Sequence, residues 1–245
     1  MFERLRDAGF ELEFTSHAEA IILHDFHDLI DELEEALLNI RLPMTEIIGG
    51  GGGEAKMTQR LRRGLAAKAW TKHNFELKKT VDGVAKESIS HEIDHVRRTK
   101  NGVFALEIEW NNKDPFFDRD LENFKRLHAE GAISIGGIVT RGSAMQAEMR
   151  ERVERFATDR GITDYEGLEE FGAGSPTRPQ RAQIQKDLDR QVSFAKAWSR
   201  KFTSDKFGQA TTHWSKLQDR IHRGVGNPCP LLLVGLPPSI IDMAE

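Results

Sequence analysis

The chain has a single cysteine, Cys229, which excludes an internal disulfide. Lying in the apolar run Cys229-Pro230-Leu231-Leu232-Leu233-Val234, it reads as a buried small hydrophobe rather than a nucleophile. Long apolar runs are missing too: nothing approaches the ~20 residues of a membrane helix, and Met1-Phe2-Glu3-Arg4 lacks the basic-then-apolar order of a secretory signal. The expectation is a cytoplasmic protein with no membrane partner. No internal repeat is visible. The run Gly49 to Gly53 lacks the Gly-Lys-Ser/Thr ending of a phosphate-binding loop, since Glu54-Ala55-Lys56-Met57-Thr58 follows, and it reads as a flexible loop. No large excess of one charge exists: 35 Lys and Arg stand against 39 Asp and Glu, a net −4, which taken alone argues against a polyanionic partner.

The distribution of charge argues otherwise. Residues 1–54 hold 13 acids and 3 bases, whereas residues 56–79 hold 8 bases (Lys56, Arg60, Arg62, Arg63, Lys68, Lys72, Lys78, Lys79) and Glu76 alone. One face can therefore be basic in an acidic molecule. At 245 residues the chain can bury a substantial core and is expected to form one domain over residues 1–245, with a core at about 56–142 and helical decorations at 1–48 and 143–225.

Apolar residues from Ile21 to Ile40 recur at helical spacing, predicting one long helix from 17 to about 41, stopped near Pro43. A second helix is expected from Lys56 to about Lys72, with Leu61, Leu65 and Trp70 on one side. Two extended stretches follow, Phe75 to Val84 and Ser88 to Val96, joined around Gly83. A strand from Val103 to Trp110 then leads through Asp114-Pro115, a helix cap and a first-turn proline, into a helix bearing Phe117, Leu121, Phe124 and Leu127 and ended by Gly131. Ile133 to Val139 form the next strand, so the two strands should run parallel in a mixed α/β core, a central sheet flanked by helices on both faces. Further helices are expected at about 144–160, 180–202 and 211–223, and a last strand at Leu231 to Leu236.

The most informative run is Phe104-Ala105-Leu106-Glu107-Ile108-Glu109. A strand turns alternate side chains to opposite faces, so Glu107 and Glu109 share one surface while Phe104, Leu106 and Ile108 share the other. With Asp94 delivered from a neighbouring strand, the repulsion among these carboxylates is best relieved by a divalent cation such as magnesium, and the chemistry suggested is metal-assisted phosphodiester cleavage. Read as a plain half-exposed strand, the same run would place both glutamates in solvent.

Glu92-Ile93-Asp94-His95, followed by the run from Ala105 to Asp120, resembles the type II restriction endonucleases of the BamHI and BglII kind, built on the PD-(D/E)XK nuclease core. The resemblance is strongest over about residues 44–142. It implies metal-binding acids at Asp94 and Glu107, with the carbonyl of Ile108 as a further ligand, and a third catalytic group at Glu109, where most relatives carry lysine. It further implies a Mg2+-dependent homodimer in a prokaryotic host, without a small-molecule cofactor, that cuts double-stranded DNA at a short palindrome and leaves 5′-phosphate and 3′-hydroxyl ends. Asn112 falls where the family places a base-contacting asparagine, and Thr140 and Arg141 near its second recognition segment; asparagine suits adenine and arginine suits guanine, while the neighbouring Asn111 and Lys113 are further expected DNA contacts, Lys113 to a phosphate. Glu76 is a possible additional acid, with Glu87 and Glu92 as rivals.

Other readings stay open. A repair nuclease on the same core would lack a fixed site, and a non-catalytic regulator would bind DNA without cutting it. His91-Glu92-Ile93-Asp94-His95 matches the H-E-x-x-H pattern of zinc peptidases, which requires both histidines on one face of a helix.

Overall fold

The computed structural model describes residues 1–50 and 53–244, with the backbone alone at 85–87. In chain order its elements are α1 (Glu3–Asp7), β1 (Glu11–Thr15), α2 (Ala18–Asp25), α3 (Asp28–Leu38), β2 (Leu42–Pro43), α4 (Met44–Ile48), α5 (Lys56–Ala66), β3 (Thr71–Val81), β4 (Val84–Thr99) and β5 (Gly102–Glu109). They continue with α6 (Phe116–Ala129), β6 (Ile135–Arg141), α7 (Ser143–Asp159), α8 (Tyr165–Glu169), α9 (Arg178–Leu188), α10 (Phe194–Lys206), α11 (Trp214–His222), β7 (Leu231–Leu236) and β8 (Ile241–Asp242).

Six strands form one mixed sheet in the order β1-β7-β6-β5-β4-β3. The centre is parallel, β5 to β6 and β6 to β7, while β1, β4 and β3 join antiparallel. β5, α6 and β6 make the expected strand, helix, strand crossover. Alternation divides the core in two. Phe104, Leu106 and Ile108 of β5 join Leu232, Val234 and Leu236 of β7 in the larger cluster, under α2 to α5 and α7 to α10. Ala105, Ile138, Leu231 and Leu233 point the other way, against Phe117, Leu121, Phe124 and Leu127 of α6 and Trp214 and Leu217 of α11. The sheet is thus covered on both faces. Gly136 makes close cover possible, since a Cβ there would lie 2.7 Å from the Phe124 ring.

Several elements differ from the sequence expectation. The long amino-terminal helix is two helices, because Phe26 leaves helical geometry (φ −128°) and packs edge-on against Phe104, with ring centroids 5.9 Å apart. Helix α5 stops at Ala66: Ala69 takes φ 64°, which turns Trp70 under the helix onto Phe104 at 5.2 Å. The helix expected at 180–202 is interrupted, with Gln191 at φ 63° and Ser193 accepting from the Lys196 amide to start α10. Asp114 is not the cap of α6, whose N-cap is Pro115; its carboxylate instead accepts from Arg220 of α11 at 3.1 Å, and Asp118 accepts from the same arginine at 2.9 Å. β1 was not anticipated. Within the glycine run, Gly49 bridges Ala173 and the Gly50 amide donates to the Gly172 carbonyl at 3.0 Å, while Gly51 and Gly52 lie outside the described residues.

Candidate active site

β5 pairs β4 as far as Leu106 and β6 as far as Glu109, and its alternation carries Glu107 and Glu109 on the α6 face beside Ala105. Both are buried, at 4% and 3% exposure, rather than displayed to solvent. Helix α6 passes over them and adds Asp120, 1% exposed, a residue the sequence reading did not single out. Its signal was present: Asp120 stands three residues after Phe117 and four before Phe124, a lone carboxylate inside the apolar stripe.

Three buried carboxyls so close cannot all ionise freely. Burial raises Glu107 well above the usual carboxylate range, and the charges of Asp120, Asp94 and Glu109 add to that rise. Glu109 is pushed to about 8, by burial first and then by the charge of Asp120 and a hydrogen bond with it. Asp120 is raised by burial as well, with the Glu109 hydrogen bond and Arg119 opposing. Arg119 compensates part of this charge: its Nη2 lies 2.7 Å from Asp120 Oδ1 and 3.5 Å from Glu109 Oε1.

Asp94 sits at an irregularity of β4. Thr71 pairs Val96 but His73 pairs Ile93, so Lys72 alone of β3 opposes Asp94 and His95 of β4 and a bulge falls at Asp94-His95, a device that re-aims side chains. On the other edge the ladder to β5 ends at His95 and Leu106, and continuing that register by one residue brings Asp94 level with Glu107. Its carboxylate is 55% exposed and 3.6 Å from Lys72 Nζ, and its charge raises both Glu107 and Asp120. Glu76 is not brought to this cluster: it lies on the outer strand, is 58% exposed and pairs Lys78 at 3.0 Å. Glu92 pairs Lys72 at 2.7 Å, and the side chain of Glu87 lies outside the described residues.

Among the described residues no group of three or more His, Cys, Asp or Glu converges closely enough to hold a metal ion as placed. In chemistry the donors suit a hard divalent cation: carboxylate oxygens, a main-chain carbonyl between two of them, and a buried Asp120 Oδ2 that has no hydrogen-bond partner.

The turn after β5 is held from below. The Asn112 amide donates to Thr212 Oγ1 at 3.0 Å, the Thr212 amide returns to the Asn112 carbonyl at 2.9 Å, and Lys113 bridges Thr211. The Asn112 side-chain amide donates to Glu109 Oε2 at 2.7 Å, which links the turn to the acid cluster. Thr140 and Arg141, expected at the DNA, are wholly buried. Thr140 Oγ1 donates to the Glu109 carbonyl at 2.8 Å. Arg141 donates to the Trp110 carbonyl (2.9 Å), Asn111 Oδ1, Thr211 Oγ1 (2.8 Å) and Gln146 Oε1 (3.1 Å). As placed, neither faces solvent; both shape the turn that does.

The H-E-x-x-H pattern lies in β4. An extended strand sets residues four apart at about 13 Å, and the two histidines meet opposite faces: Asn123 and Arg126 of α6 influence His91, Arg62 of α5 influences His95. The helical zinc site that this pattern requires is absent.

A mixed sheet covered on both faces, with buried acids at the exit of a central strand, is consistent with a restriction-endonuclease-like core. The family model of restriction endonuclease BglII/BglIII matches residues 10–236, and the chain belongs to that family. It is therefore a DNA-hydrolysing enzyme. No curated protein matches the chain. Among the described residues no helix is long and apolar enough to cross a membrane.

Proposed function

We propose that this enzyme is a magnesium-dependent homodimer that hydrolyses both strands of duplex DNA within a short palindrome, leaving 5′-phosphate and 3′-hydroxyl ends. The observation that carries the reading is the paired burial of Glu107 and Glu109 beside the Asn111-Asn112-Lys113 turn, in a chain of the BglII/BglIII family. Asp94, Glu107 and the Ile108 carbonyl are the ligands for the metal, with Asp120 rather than Glu76 as the additional acid. An ion held there would supply the positive charge that polarises the phosphate and makes a water more acidic.

The protein's own groups do the rest. Glu109 orients the attacking water or takes its proton for in-line displacement at phosphorus. Lys113 anchors a backbone phosphate, Asn111 and Asn112 meet base edges, and Thr140 and Arg141 act on DNA through the turn they support. A palindromic target matches two-fold symmetry, one active site for each strand. The whole chain forms one endonuclease domain, the core at about 56–142 carrying the acids and the segments 1–48 and 143–225 decorating it, and it works in the cytoplasm of its host.

The test is supercoiled plasmid with magnesium. Discrete fragments that vanish in Asp94→Ala and Glu107→Ala are expected; undiminished cleavage in both variants would reject the site, and digestion without fixed fragments would reject the sequence specificity.

A further inference from the structure

Cations and acids at the cluster differ in how firmly they are held. Glu109 and Asp120 are buried, at 4% and 1% side-chain exposure, whereas Arg119, the cation that touches them, is 54% exposed. Its guanidinium lies 4.4 Å from the centre of the Phe116 ring, itself 36% exposed, so a flat platform backs it rather than a socket. Nε and Nη2 both engage Asp120 Oδ1, at 2.8 and 2.7 Å, and Nη2 also approaches Glu109. The other cation nearby, Lys72, meets Asp94 and Glu92 from the outer strand. The negative half of the site is fixed in the sheet and helix, and the positive half rides on a long side chain at the solvent edge.

We propose that Arg119 is the resident countercation of the acid cluster: it balances Glu109 and Asp120 in the free enzyme and, when a divalent cation takes over that balance, turns outward to the phosphate being cut. The inference rests on the reading of Glu107 and Glu109 as metal-site acids. A guanidinium and a divalent ion seeking the same oxygens repel each other, so each weakens the other's hold. Once the acids are compensated, the nearest uncompensated anion within one side-chain length is the phosphate seated against them. A planar guanidinium matches phosphate oxygens in bidentate fashion, and its charge is most useful where negative charge develops in the transition state.

The experiment measures Mn2+ binding to the DNA-free protein by calorimetry, and single-turnover cleavage with Mg2+ at saturating DNA, for the parent enzyme, Arg119→Gln, Arg119→Lys and Glu107→Gln. Arg119→Gln should bind Mn2+ about tenfold more tightly yet cleave at least about tenfold more slowly. Arg119→Lys, which keeps the charge without the fork, should fall between on both measures and guards against a folding defect in the first variant. Unchanged or weaker Mn2+ binding in Arg119→Gln, with binding still lost in Glu107→Gln, overturns the countercation role alone. Cleavage at the parent rate in Arg119→Gln overturns the phosphate role. Parent-like Mn2+ binding in Glu107→Gln defeats the metal-site reading itself, and the inference with it.

Discussion

Arg141→Met is expected to destabilise the enzyme by about 3–5 kcal/mol, because four neutral acceptors lose their donor at once. Arg141 is wholly buried at the end of β6, and burial holds its guanidinium down to about 9. Its four acceptors come from the β5 exit (Trp110 and Asn111), the start of α7 (Gln146) and the segment between α10 and α11 (Thr211). Each acceptor left without a donor costs about 1–3 kcal/mol, and relief of the buried cation's desolvation offsets part of the sum. Methionine fills most of the volume, so little of the loss arises from a cavity. For a chain of this size each kcal/mol moves the melting temperature by about 2–4 °C, giving a fall of about 6–20 °C by calorimetry or circular dichroism. Arg141→Lys should lose less, since an ammonium can still serve one or two of the acceptors. A melting temperature within about 2 °C of the parent for Arg141→Met would refute the idea that this residue holds the turn in place. The same result would return Arg141 to the DNA-contacting role that sequence position alone suggests.

Three further outcomes are expected. Asp120→Asn should lower the cleavage rate by at least about tenfold while Glu76→Gln leaves it unchanged in the same plasmid assay; the reverse pattern would restore Glu76 to the acid cluster. His213 is held down to about 4 by burial, aided by Arg141 and Lys216 and opposed by Asp114 and Asp219. Between pH 6.5 and 4 the unfolded chain therefore binds a proton that the folded one refuses, and up to about 3 kcal/mol of stability is lost as pH falls through that window; His213→Asn should flatten this part of a urea-melt series, and an unchanged slope would contradict the assignment. Cys229 is fully buried and its thiol is pushed up to about 12 by burial, so a thiol reagent at neutral pH should label it only as fast as the protein opens; rapid stoichiometric labelling of the native enzyme would be inconsistent with that burial.

The sequence made the centre of the fold legible because the centre is regular. Strict alternation from Phe104 to Glu109 and the 3.6-residue stripe of Phe117, Leu121, Phe124 and Leu127 leave one way to bury the apolar atoms, and β5, α6 and β6 follow. The breaks were harder. Phe26 and Trp70 continue a helical apolar pattern, yet each leaves its helix to pack on Phe104, a contact that local spacing does not encode. The acid pair of β5 was readable from period two, whereas Asp120 becomes relevant only when α6 lies over that strand. Thr140 and Arg141 show the converse: their place at a strand end suggests exposure, and only β6's central position in the sheet shows that they are enclosed. Asp94 lies between these cases, since its sequence context is visible but its place beside Glu107 depends on how β4 pairs with β5.

The most direct measurement compares Glu107→Ala with the parent enzyme on one duplex carrying the target site, with binding followed in Ca2+ and single-turnover cleavage in Mg2+. Binding within about threefold of the parent with cleavage reduced by at least about a thousandfold, as expected when a ligand of the metal that stabilises the developing charge is lost, is the predicted result. Cleavage retained within tenfold of the parent rate would contradict the assignment of the β5 carboxylates as the catalytic centre.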